Sequence, residues 1–389
     1  MKRIYLVFVG IAFIVSHLVL SSLAPHILPQ AFFPYLDDLQ KSGLPQYIYS
    51  LANFDGTIYL KIAKSGYLPL THAFFPLYPI TIATFSFILK PILAGVMISL
   101  VSFMAVLIVF SKYLDTLKIE KSNQLWVVAA LLSFPTSFYL LGVYTESLFL
   151  LLLVGALFSM RKKVYILTFL LSMLAALTRF VGIFLVIPIF FEILSIYKFS
   201  SFSFKEIWEK LKKNHMPIIP LFGAPIGFLM YSVFLWRTTG DPIRFFNNLP
   251  DFQTGRQTDL ILFPQVMFRY LKIFLTAQLN FQYVIAIVEF VTFTGVFVVL
   301  TYELWKIYKK EYKNLSVRLG LNLFSFANLL LPTFTGTFTS LPRYVLTSLS
   351  LFIVLGEIKS RKIQLSLFFL FSILHIILFL LFIRGYFVS

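Results

Sequence analysis

Apolar runs long enough to cross a bilayer recur from one end of this chain to the other, separated by short segments in which Lys and Arg gather. A helix crossing the hydrocarbon core needs about 20 mostly apolar residues. Its backbone polar groups must be bonded within the segment, so such runs fold as helices. Reading the runs between charges predicts eleven spans, at roughly 5–23, 91–111, 125–141, 145–160, 164–178, 180–197, 217–236, 283–304, 317–333, 344–357 and 363–383. The expected fold is an all-α polytopic integral membrane protein, with residues 1–389 as one transmembrane domain. Composition removes the alternatives. Hydrophobic residues make up 59% of the 389, charged residues 13%, and mean hydropathy is +0.87. Soluble domains carry about 25% charged residues, so soluble, fibrous and disordered classes are excluded. With no Cys there is no disulfide framework, thiol nucleophile or Cys-based metal site. There are five His and no His-Glu-x-x-His pattern, which argues against a zinc hydrolase.

The net charge is +17. In a soluble chain this would point to nucleic acid. In this one it sets topology and meets anionic lipid headgroups, and no nucleic-acid partner is expected. With the N-terminus in the cytoplasm, 21 of the 33 Lys and Arg fall on inner segments. These include Lys2 and Arg3, Arg161 to Lys163, and Lys198, Lys205, Lys210, Lys212 and Lys213 in the 198–215 segment. The first run follows Lys2 and Arg3 as in a secretory leader, but its length and Pro25 after Ser21-Ser22-Leu23-Ala24 favour a retained span. An odd number of spans leaves the C-terminus outside.

Two outer segments are too polar and too rich in Pro to cross, 24–90 and 237–282. Each holds an amphipathic stretch, 74–89 and 260–279, expected to lie in the interface plane. Long ordered loops commonly carry function, so chemistry is sought on the outer, membrane-level face. The first loop reads Asn53-Phe54-Asp55-Gly56-Thr57-Ile58-Tyr59, then Ile62-Ala63-Lys64-Ser65-Gly66-Tyr67, then Phe74-Phe75-Pro76-Leu77-Tyr78-Pro79. A carboxylate among aromatics at a membrane surface has two readings. Asp55 caps a short helix, or it takes a proton from an incoming hydroxyl.

These motifs resemble the PIG-V-type mannosyltransferases, the GPI mannosyltransferase II family with its bacterial relatives, within the GT-C superfamily of integral-membrane glycosyltransferases. The family pattern is similar to W-D-x-x-W-Y, I-A-x-x-G-Y and F-F-P-L-Y-P; Phe54 stands here in the place of Trp and Ile58 in that of the second aromatic. Further likenesses follow in order: Phe134-Pro135-Thr136, Tyr144-Thr145-Glu146-Ser147-Leu148-Phe149, Ala176-Leu177-Thr178-Arg179, Gly240-Asp241-Pro242 and Leu341-Pro342-Arg343-Tyr344. The resemblance implies a GT-C-like fold with catalytic Asp55 in the first outer loop, acting as general base on the acceptor.

Around it, Arg343 forks onto a lipid phosphate or snorkels at the interface. Arg179 shares the phosphate or pairs with Glu146, and Tyr344 belongs to the same phosphate-binding group. Phe54, Tyr59, His72 and Glu146 are assigned to substrate contact or to support of the site, though His72 also reads as a plain surface residue and Glu146 as ordinary first-turn helix chemistry. Asp241-Pro242 reads as a helix cap followed by Pro at the first helical position. Asp37-Asp38 reads as solvated loop charge rather than a metal site. Glu289 is the one acid deep in a span, either functional or paired with a polar group on a neighbouring helix. His17 and His375 are packing residues.

The implied function is transfer of a hexose, mannose by resemblance, from a polyprenyl-phosphate sugar to a glycolipid or glycan acceptor. The active site then faces outward from a plasma membrane. One carboxylate suits a single displacement with inversion. No cofactor is required and any divalent metal is weakly held. A lipid-linked oligosaccharide flippase is the alternative. It predicts internal repeats and polar groups at the midplane; the sequence offers no repeat and one deep acid. A non-catalytic assembly protein is the third class, and it would have no use for Asp55.

Overall fold

The computed structural model describes residues 3–197, 209, 210, 212–252 and 255–388. Lys2, Lys198 and Lys205 of the inner-segment assignment lie outside the described residues, with the rest of 198–208. The described residues fold as helices joined by turns and irregular connections, with no strand among them. Among the described residues seven helices are long and apolar enough to cross a membrane: Ile4–Ile27, Pro91–Thr116, Phe180–Tyr197, Met216–Thr239, Phe281–Tyr308, Leu315–Thr335 and Arg361–Ile383. The protein is thus a polytopic membrane protein in architecture. Its long helices present large apolar side chains outward, Phe8, Val291 and Phe369 among them. Such surface is stable only against lipid or another apolar partner.

The remaining four predicted spans correspond to shorter helices. Lys121–Ser133 stops one residue before Phe134-Pro135 and resumes as a 3-10 turn at Ser137–Leu140. The residue before a proline is pushed out of the helical region, and here Phe134 is extended at φ −54, ψ 138. Glu146–Arg161 and Tyr165–Thr178 are continuous but run only 16 and 14 residues. The predicted 344–357 span is a helix only over Leu349–Gly356, preceded by the short turns Leu341–Tyr344 and Val345–Thr347.

Small residues bring the helices together. Gly223 and Gly227 sit one turn apart on the Gly223–Thr239 helix and face the backbone of Tyr165–Thr178. A Cβ at Gly227 would lie 2.2 Å from the Met173 carbonyl oxygen, and one at Gly223 2.3 Å from that of Phe169. Helix association in lipid depends on this close approach, since lipid tails remove the hydrophobic drive between helices.

The bundle has two different ends. At one, Arg161 donates to the Thr116 carbonyl at 3.0 Å and pairs with Glu192 at 3.2 Å. Arg318 pairs there with Glu303 at 3.2 Å and with Glu357. These contacts staple together the helix ends that flank the basic segments. The helix Glu146–Arg161 runs from that end to the other over about 24 Å. The second end carries the turns of both long polar segments. The 260–279 stretch forms the two-faced helix Phe263–Thr276, whereas 74–89 forms Leu77–Phe85, which is apolar all round rather than amphipathic as its sequence suggested. Phe87, Ile88, Phe268 and Leu275 protrude there as exposed apolar groups.

Candidate active site

Asp55 opens the helix Asp55–Ser65, and the preceding Phe54 holds φ 56, ψ −117. A bulky residue rarely adopts positive φ, and such strain persists only where the surroundings enforce it. The Tyr144 hydroxyl donates to the Asn53 carbonyl at 2.7 Å, and the Asn53 amide donates to the Phe382 carbonyl at 2.8 Å. The Val143 amide donates to the Leu51 carbonyl at 2.9 Å. Gly56 lets the Val143 carbonyl approach, where a Cβ would meet it at 3.3 Å. The turn is therefore clamped between the 142–144 segment and the end of Arg361–Ile383. The N-cap position is held by Phe54, which has no side-chain acceptor. Asp55 Oδ2 instead accepts from Arg343 Nη1 at 2.7 Å, across 288 positions of sequence.

Arg343 is placed by a second clamped turn. Ser340 takes φ 65 ahead of Leu341–Tyr344, Thr136 Oγ1 donates to the Pro342 carbonyl at 2.7 Å, and Asn328 donates to the Tyr344 carbonyl at 2.6 Å. The Arg343 guanidinium lies over the rings of Tyr144 and Tyr139, at 5.4 and 5.5 Å. Its Nε stands 3.2 Å from Glu146 Oε1. The same oxygen accepts from Arg179 Nη1 at 2.8 Å. Arg179 follows the last turn of Tyr165–Thr178 in extended backbone, so its side chain leaves the helix axis. The result is a ladder of alternating charge, Asp55–Arg343–Glu146–Arg179. Glu146 is 1% exposed and Asp55 27%, so Asp55 is the carboxylate that an incoming group can reach.

The ladder borders a cavity of about 240 Å³. Asp55, Arg179, Arg343, Tyr344, Arg256 and Thr178 supply its polar wall; Phe180, Phe245, Phe246, Leu249, Leu331 and Phe334 supply an apolar one. Phe334 is also partly exposed. An amphiphile with an anionic head and a hydrocarbon tail fits such a divided surface.

Of the residues singled out in the sequence, Asp55, Tyr59, Arg179, Arg343 and Tyr344 line the cavity, and Glu146 sits behind it. Phe54 and His72 do not line it. The Phe54 ring turns away to pack on Phe33, Phe382 and Phe387. His72 stacks on Tyr67 at 5.4 Å, and its carbonyl accepts from the Tyr231 hydroxyl at 2.7 Å. Burial, with the nearby Arg244 cation, holds its imidazole below the ordinary value. Asp38 faces Lys61 at 3.7 Å in the exposed first loop. Asp241 Oδ1 accepts from the Ile243 amide, but the helix begins only at Arg244, so Pro242 is not its first residue. Glu289 accepts from the Tyr270 hydroxyl at 2.6 Å, and His17 and His375 bond to each other at 2.6 Å.

Sequence reading missed Arg256 and Phe387 as lining residues. Arg256 was one of five basic residues in an irregular segment, and Phe387 lies past the last span; neither carries a periodic or motif signal. The sequence matches no family model, no curated protein and no solved structure.

Proposed function

We propose that the protein is a membrane glycosyltransferase of GT-C type that moves a hexosyl group, mannose by family resemblance, from a polyprenyl-phosphate donor to a glycolipid or glycan hydroxyl. The observation that carries this reading is the pairing, in one divided cavity, of a reachable carboxylate with a bank of guanidiniums. The acceptor oxygen attacks the anomeric carbon, Asp55 takes its proton, the bond from that carbon to the phosphate oxygen breaks, and the leaving phosphate keeps the electron pair. Positive charge fixed beside that oxygen stabilises the charge that develops. Arg343 and Arg179 each commit part of a five-donor guanidinium to the ladder and keep further N–H groups for the phosphate. A single carboxylate in this position implies inversion.

On this reading the site faces outward from a plasma membrane, the N-terminus is cytoplasmic, and the four shorter helical segments complete eleven crossings. The test is incubation of the purified protein with polyprenyl-phosphate mannose labelled in the sugar and a set of glycolipid and glycan acceptors. The expected result is label in an acceptor together with free polyprenyl phosphate. Intact donor carried across a liposome bilayer, with no bond broken, would instead favour the transporter class.

A further inference from the structure

Three arginines line the cavity, and two of them are committed to carboxylates: Arg343 to Asp55 and Glu146, Arg179 to Glu146. Arg256 is different. Among the described residues it makes no ion pair within 4.0 Å. Its Nη2 donates to the Thr339 carbonyl at 3.0 Å, and its Nε is shielded from solvent with no hydrogen-bond partner. Glu289 is the carboxylate that feels its charge, but Glu289 Oε2 is occupied by the Tyr270 hydroxyl. A guanidinium that lines a cavity with no carboxylate paired to it is costly unless an anion completes it.

The segment that carries Arg256 is latched in place. The Gln257 amide donates to the Thr335 carbonyl at 2.9 Å and the Ile261 amide to that of Phe334 at 3.1 Å. Arg269 crosses from the helix Phe263–Thr276 to donate to the Gly336 carbonyl at 3.2 Å and to Gln257 Oε1 at 3.3 Å. Gly336 holds φ 92, a conformation natural to glycine, and a Cβ there would lie 2.5 Å from Arg269 Nη1. Phe334 and Thr335, which receive these bonds, themselves line the cavity. The second polar segment is thereby pinned along the rim, and Arg256 is held ready at the cavity wall.

We infer that Arg256 is the donor-anchoring residue of this site, forking onto the phosphodiester of a polyprenyl-phosphate sugar, while the Asp55–Arg343–Glu146–Arg179 ladder serves the reacting bond. The inference rests on the glycosyl-transfer reading. It adds that head-group affinity resides in the second polar segment, apart from the ladder. Arg is the suited residue, because its planar fork spans two phosphate oxygens where an ammonium meets one.

The test is equilibrium binding of polyprenyl monophosphate and of the polyprenol with the same chain to the full-length protein in lipid nanodiscs. Wild type is expected to prefer the monophosphate by about tenfold or more, the value of one charge-assisted contact. Arg256→Gln should bring the two ligands within about threefold of each other, while polyprenol affinity stays as in wild type. Unchanged polyprenol affinity shows that the variant is folded. Arg256→Lys, which keeps the charge without the fork, should fall between the two. Arg256→Gln retaining the full preference overturns the inference and assigns the phosphate to Arg343 or Arg179. If Gln does not yield folded protein, Arg256→Lys with full wild-type preference overturns it equally. Absence of any preference in wild type refutes the polyprenyl-phosphate reading itself, and the inference with it.

Discussion

Glu146 balances two guanidiniums from a position that is 1% exposed, and this makes the ladder testable as a unit. Glu146→Gln leaves Arg179 and Arg343 buried with Asp55 as their one carboxylate. Breaking a buried pair by removing one partner costs about 3–5 kcal/mol, and the upper part of that range is expected here because two cations lose their counter-charge. Arg179→Gln is milder, since Arg343 still neutralises Glu146. The double variant restores a one-to-one pairing, Arg343 with Asp55. Its cost should therefore be smaller than the sum of the two single costs, by about 1–3 kcal/mol. The assay is unfolding of the four proteins in detergent micelles titrated with dodecyl sulfate, followed by far-ultraviolet circular dichroism. Additivity within about 0.5 kcal/mol would refute the reasoning, because uncoupled sites add to that accuracy.

Other outcomes follow from the same geometry. The chain has no Cys, so a single introduced one reports its own side of the membrane: Lys64→Cys is expected to react with an impermeant thiol reagent from outside intact cells, and Lys310→Cys only after permeabilisation. Arg343→Ala should slow transfer by about tenfold or more, with Arg343→Lys recovering only part; a near-wild-type rate would reduce Arg343 to an interfacial anchor. Gly227→Leu should abolish monodisperse protein in gel filtration, because its Cβ would sit 2.2 Å from the Met173 carbonyl oxygen, whereas Gly295→Ala, with nothing within 4 Å, should be silent; equal behaviour of the two would remove the close-packing account.

The long helices were legible because lipid imposes one simple rule on every residue of a span. Seven of the predicted runs coincide with helices long enough to cross. The breaks were harder to see. Pro135 announces the end of Lys121–Ser133, but the left-handed turn at Ser340 that shortens the 344–357 run depends on contacts from Thr136 and Asn328. At the candidate site, short motifs far apart in sequence pointed to Asp55, Arg179 and Arg343, and the fold gathers them at one end of the bundle. The direction of each side chain was not written there. Phe54 shares a motif with Asp55, yet across the positive-φ turn the carboxylate lines the cavity while the ring packs away from it on Phe33 and Phe382. Arg256 was hidden because its place depends on backbone pairing with Phe334 and Thr335, about 75 residues on, and such pairing leaves no periodicity to read.

The central claim is that Asp55 removes the acceptor proton in a glycosyl transfer. It is tested most directly by the transfer rate from labelled polyprenyl-phosphate mannose with wild type and Asp55→Asn, donor affinity being measured on the same preparations. The account predicts a rate lower by about 10²–10⁴-fold, the usual value of a general base, with donor affinity within about threefold of wild type. Transfer by Asp55→Asn at the wild-type rate would contradict it.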